Sequence, residues 1–237
     1  NYEAMRKLGV PCEKLGPDDI RAREPALAPI FKRAIFHPDC HHVGDPGAYT
    51  AALGAYLMRQ GASFREEAVT GFSFQDGLVA GVTTADDRVA ADVVVVACGA
   101  WSKALAAQLG DRVPLDTERG YHAMFSANGS LPLQSPVYWV DRSVILSPMP
   151  TGLRITSSVE FAGLHAKPDY AHLNRLAGDV RRALPSASTE VTSRWLGFRP
   201  SMPDSLPGIG QQRKYSNCFL AFCHGPVGLA PGPRTGE

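Results

Sequence analysis

The stretch Ala91-Asp92-Val93-Val94-Val95-Val96-Ala97-Cys98-Gly99-Ala100-Trp101-Ser102 restricts the fold more than any other part of this sequence. A continuous β-branched run of this length reads as a strand buried on both faces, as in a parallel sheet. Gly99 follows it and allows close approach to the backbone, where a Cβ would collide. Ser102 reads as the cap of a helix running from Lys103 to about Leu109. Strand, small residues, helix start is how open α/β sheets bind ligands, at the carboxyl ends of their strands. By itself the segment also fits a plain βα turn in any α/β protein.

The surrounding chain supports a mixed architecture. Pro17 to Glu24 reads as a short helix stopped by Pro25. Asp45 and Pro46 open another, with Tyr49, Ala52, Leu53, Tyr56 and Leu57 on one face. From Val69 to Asp92 a meander is expected, with Asp76-Gly77 as a hairpin turn. Beyond residue 112 antiparallel strands dominate, and Ala171 to Leu184 is the one clear helix there. The pattern is α/β for residues 41 to 112, then α+β, then a glycine-rich return at the end.

Composition narrows the function classes. The 237 residues suffice for a real core, and 44% hydrophobic with 20% charged residues is ordinary for a globular chain. A net charge of +1 gives no argument for nucleic acid or an anionic membrane surface, and no nucleic-acid partner is expected. No apolar run is long enough to span a bilayer. Five irregularly spaced cysteines suit reduced thiols in a cytoplasmic-type compartment. Cys40-His41-His42 lacks the paired spacing of zinc ligands, so no metal site is expected. Cys218 and Cys223 flank a strand with spacing that sends them to opposite faces, against a redox pair.

Two further segments carry chemistry. In the tail, a strand over Phe219 to Cys223 enters His224-Gly225-Pro226-Val227-Gly228-Leu229-Ala230-Pro231-Gly232, with Thr235 behind it. Such a loop can present backbone N–H groups to an electron-rich ligand, and it equally fits a Gly/Pro-rich surface turn. Arg199, between Phe198 and Pro200, is held stiffly, and its planar fork matches a carboxylate bidentately. The bland alternative is an exposed surface arginine.

Taken together, in order and spacing, these segments resemble one family, the FAD-dependent amino-acid oxidoreductases that include D-amino-acid dehydrogenase, glycine oxidase and sarcosine oxidase. The matching stretches are Asp45-Pro46, Val69-x-x-Phe72, Ala91 to Val94 with Gly99 to Ser102, Arg119-Gly120-Tyr121-His122, Gly197 to Pro200 with Pro203-Asp204, and His224-Gly225 with Gly232-Pro233-x-Thr235-Gly236. The resemblance implies a partial FAD/NAD(P)-binding Rossmann-like domain interleaved with a mixed or antiparallel substrate domain. Residues 1–40 and 113–195 would belong to the substrate domain, 41–112 and 196–237 to the FAD-binding domain. It implies FAD as cofactor, a small amino acid or amine as substrate, and oxygen or a quinone as electron acceptor. The C–N bond of a D-amino acid would be oxidised to an imino acid and then an oxo acid. Sarcosine, glycine and hydroxyproline oxidoreductases of the same superfamily are the enzyme alternatives, and a fragment that does not retain FAD is the non-catalytic one.

The resemblance also assigns residues. Arg199 would anchor the substrate carboxylate, with Tyr121 and His122 facing the ring; a packed strand aromatic is the rival role for Tyr121. Val69 would meet the adenine end of FAD, Cys98, Gly99 and Trp101 the ribose and pyrophosphate, and Gly225, Gly228, Leu229 and Thr235 the flavin edge. Core packing is the rival role for Trp101. A cytoplasmic location is expected, with peripheral association on the inner face of the plasma membrane left open. The family's Gly-x-Gly-x-x-Gly segment is absent here, Cys223 stands where the family commonly has glycine, and both ends read as cut.

Overall fold

The structure, a computed structural model, describes residues 2–127, 133–188 and 190–237. In chain order the first elements are α1 (Tyr2–Lys7), β1 (Glu13–Leu15), α2 (Pro17–Arg23), β2 (Ala34–Phe36) and α3 (Pro46–Arg59). A meander of β3 (Gly71–Gln75), β4 (Leu78–Thr83) and β5 (Arg88–Ala90) precedes β6 (Val94–Val96) and α4 (Ser102–Gln108). Then come β7 (Asp116–Ser126), β8 (Val137–Trp139), β9 (Val144–Met149), β10 (Gly152–Glu160) and α5 (Ala171–Ala183). The chain closes with β11 (Val191–Ser201), β12 (Gly208–Gln211), β13 (Cys218–Phe222) and α6 (Gly232–Gly236).

Contacts group the chain into two units, one of Asn1–Ala62, Tyr121–Ser158 and Pro168–Leu196, the other of Ser63–Gly120, Val159–Lys167 and Gly197–Glu237. The grouping differs from the segments drawn from sequence. Helix α3 goes with the first unit, and residues 113–120 and 159–167 go with the second. Periodicity marks where an element starts, whereas membership of a unit depends on non-local neighbours.

In the first unit the main sheet has the order β11-β7-β10-β9-β8. Alternation along β7 sends Tyr121, Ala123 and Phe125 into one core, where Leu153 and Ile155 of β10 join them. Helix α5 closes that core with Leu173, Leu176, Val180 and Ala183, spaced three and four apart on a single stripe. Each large buried aliphatic there contributes about 1.5–3 kcal/mol. Glu24, just after α2, is buried, and its carboxylate accepts from the backbone N–H groups of Gln134 and Ser135 at 2.9 and 2.8 Å. Helix α3 forms where Asp45 and Pro46 place its start, with Asp45 accepting from Ala48 N at 2.9 Å. Its apolar face is present, yet Tyr49, Leu53, Tyr56 and Leu57 are exposed among the described residues.

The second unit holds the antiparallel meander β3-β4-β5 and a three-stranded sheet of order β12-β13-β6. The Asp76-Gly77 turn has φ of 50° and 78°, the paired positive values of a type I′ hairpin. Val79, Val94, Val96, Leu105, Leu109, Tyr215, Cys218 and Phe222 form its core. Strand β6 corrects an expectation: Val94 and Val96 are buried, but Val93 and Val95 are 56% and 55% exposed, so only one face is covered. Four like residues in a row cannot reveal a one-sided strand, because the periodic signal is missing. Ser102 corrects another. A short 3₁₀ turn over Gly99–Trp101 puts Ser102 at helical φ −62°, ψ −26°, with its N–H already bonded to Gly99 O, so it lies inside the helical turn and caps nothing.

No described helix is long and apolar enough to cross a membrane. Among the described residues no group of three His, Cys, Asp or Glu side chains is arranged to hold a metal ion.

Candidate functional site

The second unit brings two of the three chemical segments together through one pairing. Strands β6 and β13 are parallel neighbours, with Cys218 opposite Val94 and Leu220 opposite Val96. Their carboxyl ends therefore leave the sheet on the same edge, the edge where open α/β sheets hold ligands. From β6 emerge Cys98, which is exposed, and Gly99 at φ 54°. From β13 emerge Cys223 at φ 67°, His224, and Gly225 at φ 56°. A Cβ built on Gly99 or Gly225 would meet nothing within 4 Å, so both turns present bare backbone with open space before it. Turns of this form could admit a ligand close to the backbone.

The terminal loop is internally braced. His224 Nε2 and Thr235 Oγ1 are 2.8 Å apart, and the Thr235 hydroxyl also donates to Pro231 O at 3.2 Å. Gly228 is tight against this histidine: a Cβ there would stand 3.0 Å from His224 Cβ. Leu229 is exposed beside it. Cys223 is a non-glycine residue in the left-handed region, and its buried thiol is pushed up to about 11 by burial, with the Asp204 carboxylate adding to the effect. Val69 lies before β3 with its side chain against the core of this unit, which leaves only its backbone for a ligand.

Arg199, in the part of β11 that groups with the second unit, is half-buried, and its guanidinium lies against Gly120 of β7. Among the described residues it has no ion-pair or hydrogen-bond partner, so its donors stand available. Its neighbour Phe198 packs edge-on to Trp101 at 5.5 Å, and the Arg119 guanidinium sits 5.9 Å from the same ring. Trp101 is 55% exposed, so it is only partly engaged by that packing.

In the first unit, Tyr121 is buried, edge-on to Tyr170 at 5.4 Å, and its hydroxyl accepts from Asp169 N at 3.2 Å. His122 lies on the opposite face of β7, stacked on Trp195 at 5.1 Å. Burial first, and the Arg154 charge second, hold its pKa below the ordinary histidine value. Arg154 is a residue that sequence reasoning passed over. Its Nε is out of solvent without a hydrogen-bond partner among the described residues, and burial lowers its pKa. No motif flags it; only the β7–β10 neighbourhood does.

Residues 1–237 match the family described as FAD dependent oxidoreductase. The chain belongs to that family. It is 36% identical over 240 residues to a D-amino-acid oxidase of Bradyrhizobium diazoefficiens, covering 100% of this chain and 57% of that protein. A glycine oxidase of Pseudomonas putida is 33% identical over 214 residues, 89% of this chain and 58% of its own. A D-amino acid dehydrogenase 2 of Mesorhizobium japonicum is 30% identical over 253 residues, again with 58% of its length matched. The chain thus spans a little over half the length of these curated relatives. In fold it is similar to the glycine oxidase from Geobacillus kaustophilus, at TM-score 0.86 and 24% identity over 99% of this chain and 63% of that one. The L-proline dehydrogenase from P. horikoshii gives TM-score 0.83 at 21% identity, over 100% of this chain and 65% of that one. These likenesses establish the mixed α/β and α+β fold, as the sequence pattern implied.

Proposed function

We propose that this chain forms the larger part of an FAD-dependent oxidoreductase that oxidises the C–N bond of a D-amino acid or a small amine. The observation that carries the reading is Arg199: a half-buried guanidinium with no ion-pair partner among the described residues, on a strand of a family member. Its fork would take the substrate carboxylate in two parallel charge-assisted hydrogen bonds and so fix Cα. Bound FAD supplies the acceptor for the hydride equivalent leaving Cα. Gly99 and Gly225 would let their backbones approach that cofactor, with Cys98 and Trp101 on one loop and Gly228, Leu229 and Thr235 on the other. Val69 would contribute its backbone at the adenine end. His122 and Tyr121, neighbours on β7, would face the substrate. Water hydrolyses the released imino acid to the oxo acid. Oxygen or a quinone is the proposed acceptor, and the cytoplasm, where free cysteines such as Cys40 stay reduced, the proposed location, with peripheral attachment to the inner membrane face in the quinone case.

The test uses the complete protein carrying this chain, with D- and L-amino acids, glycine and sarcosine as substrates. Arg199→Met is expected to raise KM for the preferred substrate about 10- to 100-fold, the scale of a lost bidentate charge-assisted contact. An unchanged KM sinks the anchor role. A protein that shows no flavin absorbance after incubation with FAD sinks the assignment of an oxidoreductase.

A further inference from the structure

We propose that Gly120 is the positioning residue for Arg199, its bare α-carbon being the seat on which the guanidinium is laid before any ligand arrives. This rests on the reading of Arg199 as carboxylate anchor. An ideal Cβ on Gly120 would lie 2.5 Å from Arg199 Nη2, 2.7 Å from Cζ and 3.1 Å from Nη1. Those distances span the planar end of the side chain, so the contact is with the guanidinium face and leaves its donor edges clear. Gly120 is not among the residues of positive φ, so its backbone could accept alanine without strain. The atoms that a Cβ there would meet all belong to the end of the Arg199 side chain, so alanine would displace the guanidinium and not the backbone.

The seat is held from the other side of the strand. Arg119 is fully buried, its Nε 3.2 Å from Glu160 Oε2 and its Nη2 donating to Lys167 O at 3.2 Å. Strand alternation sends Arg119 and Gly120 to opposite faces of β7, and Phe198 and Arg199 to opposite faces of β11. The two strands are neighbours in the sheet. On one face Phe198 is clamped between Arg119 and Trp101; on the other Arg199 rests on Gly120. A guanidinium fixed in this way loses little further freedom on meeting a carboxylate, which is the physical content of preorganisation. Arginine carries one of the most mobile side chains, so the gain from holding it is large.

The experiment is a double-mutant cycle in the complete protein with Gly120→Ala, Arg199→Met and both. Propanoate, which is alanine without its amino group and so cannot be oxidised at a C–N bond, is titrated by calorimetry. KM and kcat for D-alanine and the melting midpoint are measured alongside. Gly120→Ala should weaken propanoate binding about 10- to 100-fold, the scale set by misplacing an orienting group by an ångström. In the Arg199→Met background the same change should weaken it less than about twofold, since coupled residues are not additive. Wild-type affinity in Gly120→Ala, or a loss that adds in full to that of Arg199→Met, overturns the proposal. Should Gly120→Ala fail to fold, the double variant must recover, because methionine ends before the atoms that the new methyl would strike; a double variant as unstable as Gly120→Ala also overturns it. If Arg199→Met alone leaves propanoate affinity unchanged, the anchor reading falls, and the same cycle in melting midpoints still decides whether Gly120 seats Arg199.

Discussion

Gln212 offers the sharpest probe of how the second unit holds its terminal loop in place. Its side chain is buried, and all its hydrogen-bonding capacity is used. Nε2 donates to Leu109 O at 3.0 Å and to Asp111 Oδ2 at 3.2 Å, while Oε1 accepts from Lys214 N at 2.8 Å and Tyr215 N at 2.7 Å. The residue thus ties the approach to β13, which leads into the His224 loop, to the end of α4. Gln212→Glu preserves both acceptances and converts both donations into repulsions. The two lost hydrogen bonds cost about 2 kcal/mol together. A second carboxylate facing Asp111 at this range adds about 2–4 kcal/mol at an effective dielectric near 20. Burial and the like charge raise the folded-state pKa of the introduced carboxyl above its unfolded value near 4.3. The charge penalty is therefore absent below that unfolded value and grows as pH rises toward the folded one. Urea denaturation of wild type, Gln212→Glu and Gln212→Ala at pH 5 and pH 8 checks this. The Glu variant should lose roughly 2 kcal/mol more, relative to wild type, at pH 8 than at pH 5, while the Ala variant loses about 3 kcal/mol at both, from the groups it strands. Equal losses for the Glu variant at the two pH values would refute the like-charge argument.

Three other outcomes follow from single sites. Cys223, left-handed and buried, inverts the usual ranking of small residues: replacing alanine by glycine normally costs up to about 1 kcal/mol, but here it releases about 1–2 kcal/mol of backbone strain. Cys223→Gly should melt at or above Cys223→Ala, and a midpoint several degrees lower would contradict the strain; iodoacetamide at pH 8 should also label exposed Cys40 well before Cys223, whose thiol is pushed up to about 11. Glu24→Ala strands two backbone N–H groups in the first unit and should cost about 2–4 kcal/mol, read from urea midpoints, with a loss under 1 kcal/mol counting against the buried acceptor role.

What could be read from the chain alone was what local physics controls. Asp45 marks a helix start because its carboxylate accepts from an N–H three residues on. Asp76-Gly77 marks a hairpin because few residue pairs tolerate two positive φ values. The stripe on α5 announces its buried face, and the order of motifs from Asp45 to Gly236 announces the family. Tertiary structure decided the rest, because strand pairing and burial join residues distant in sequence. The one-sided burial of β6, the place of Ser102 inside a turn, and the buried Nε of Arg154 leave no trace in periodicity. Nor does the meeting of Gly120 with Arg199: each is an ordinary strand residue until β7 and β11 lie side by side, and only then does a missing methyl group become a place for a guanidinium.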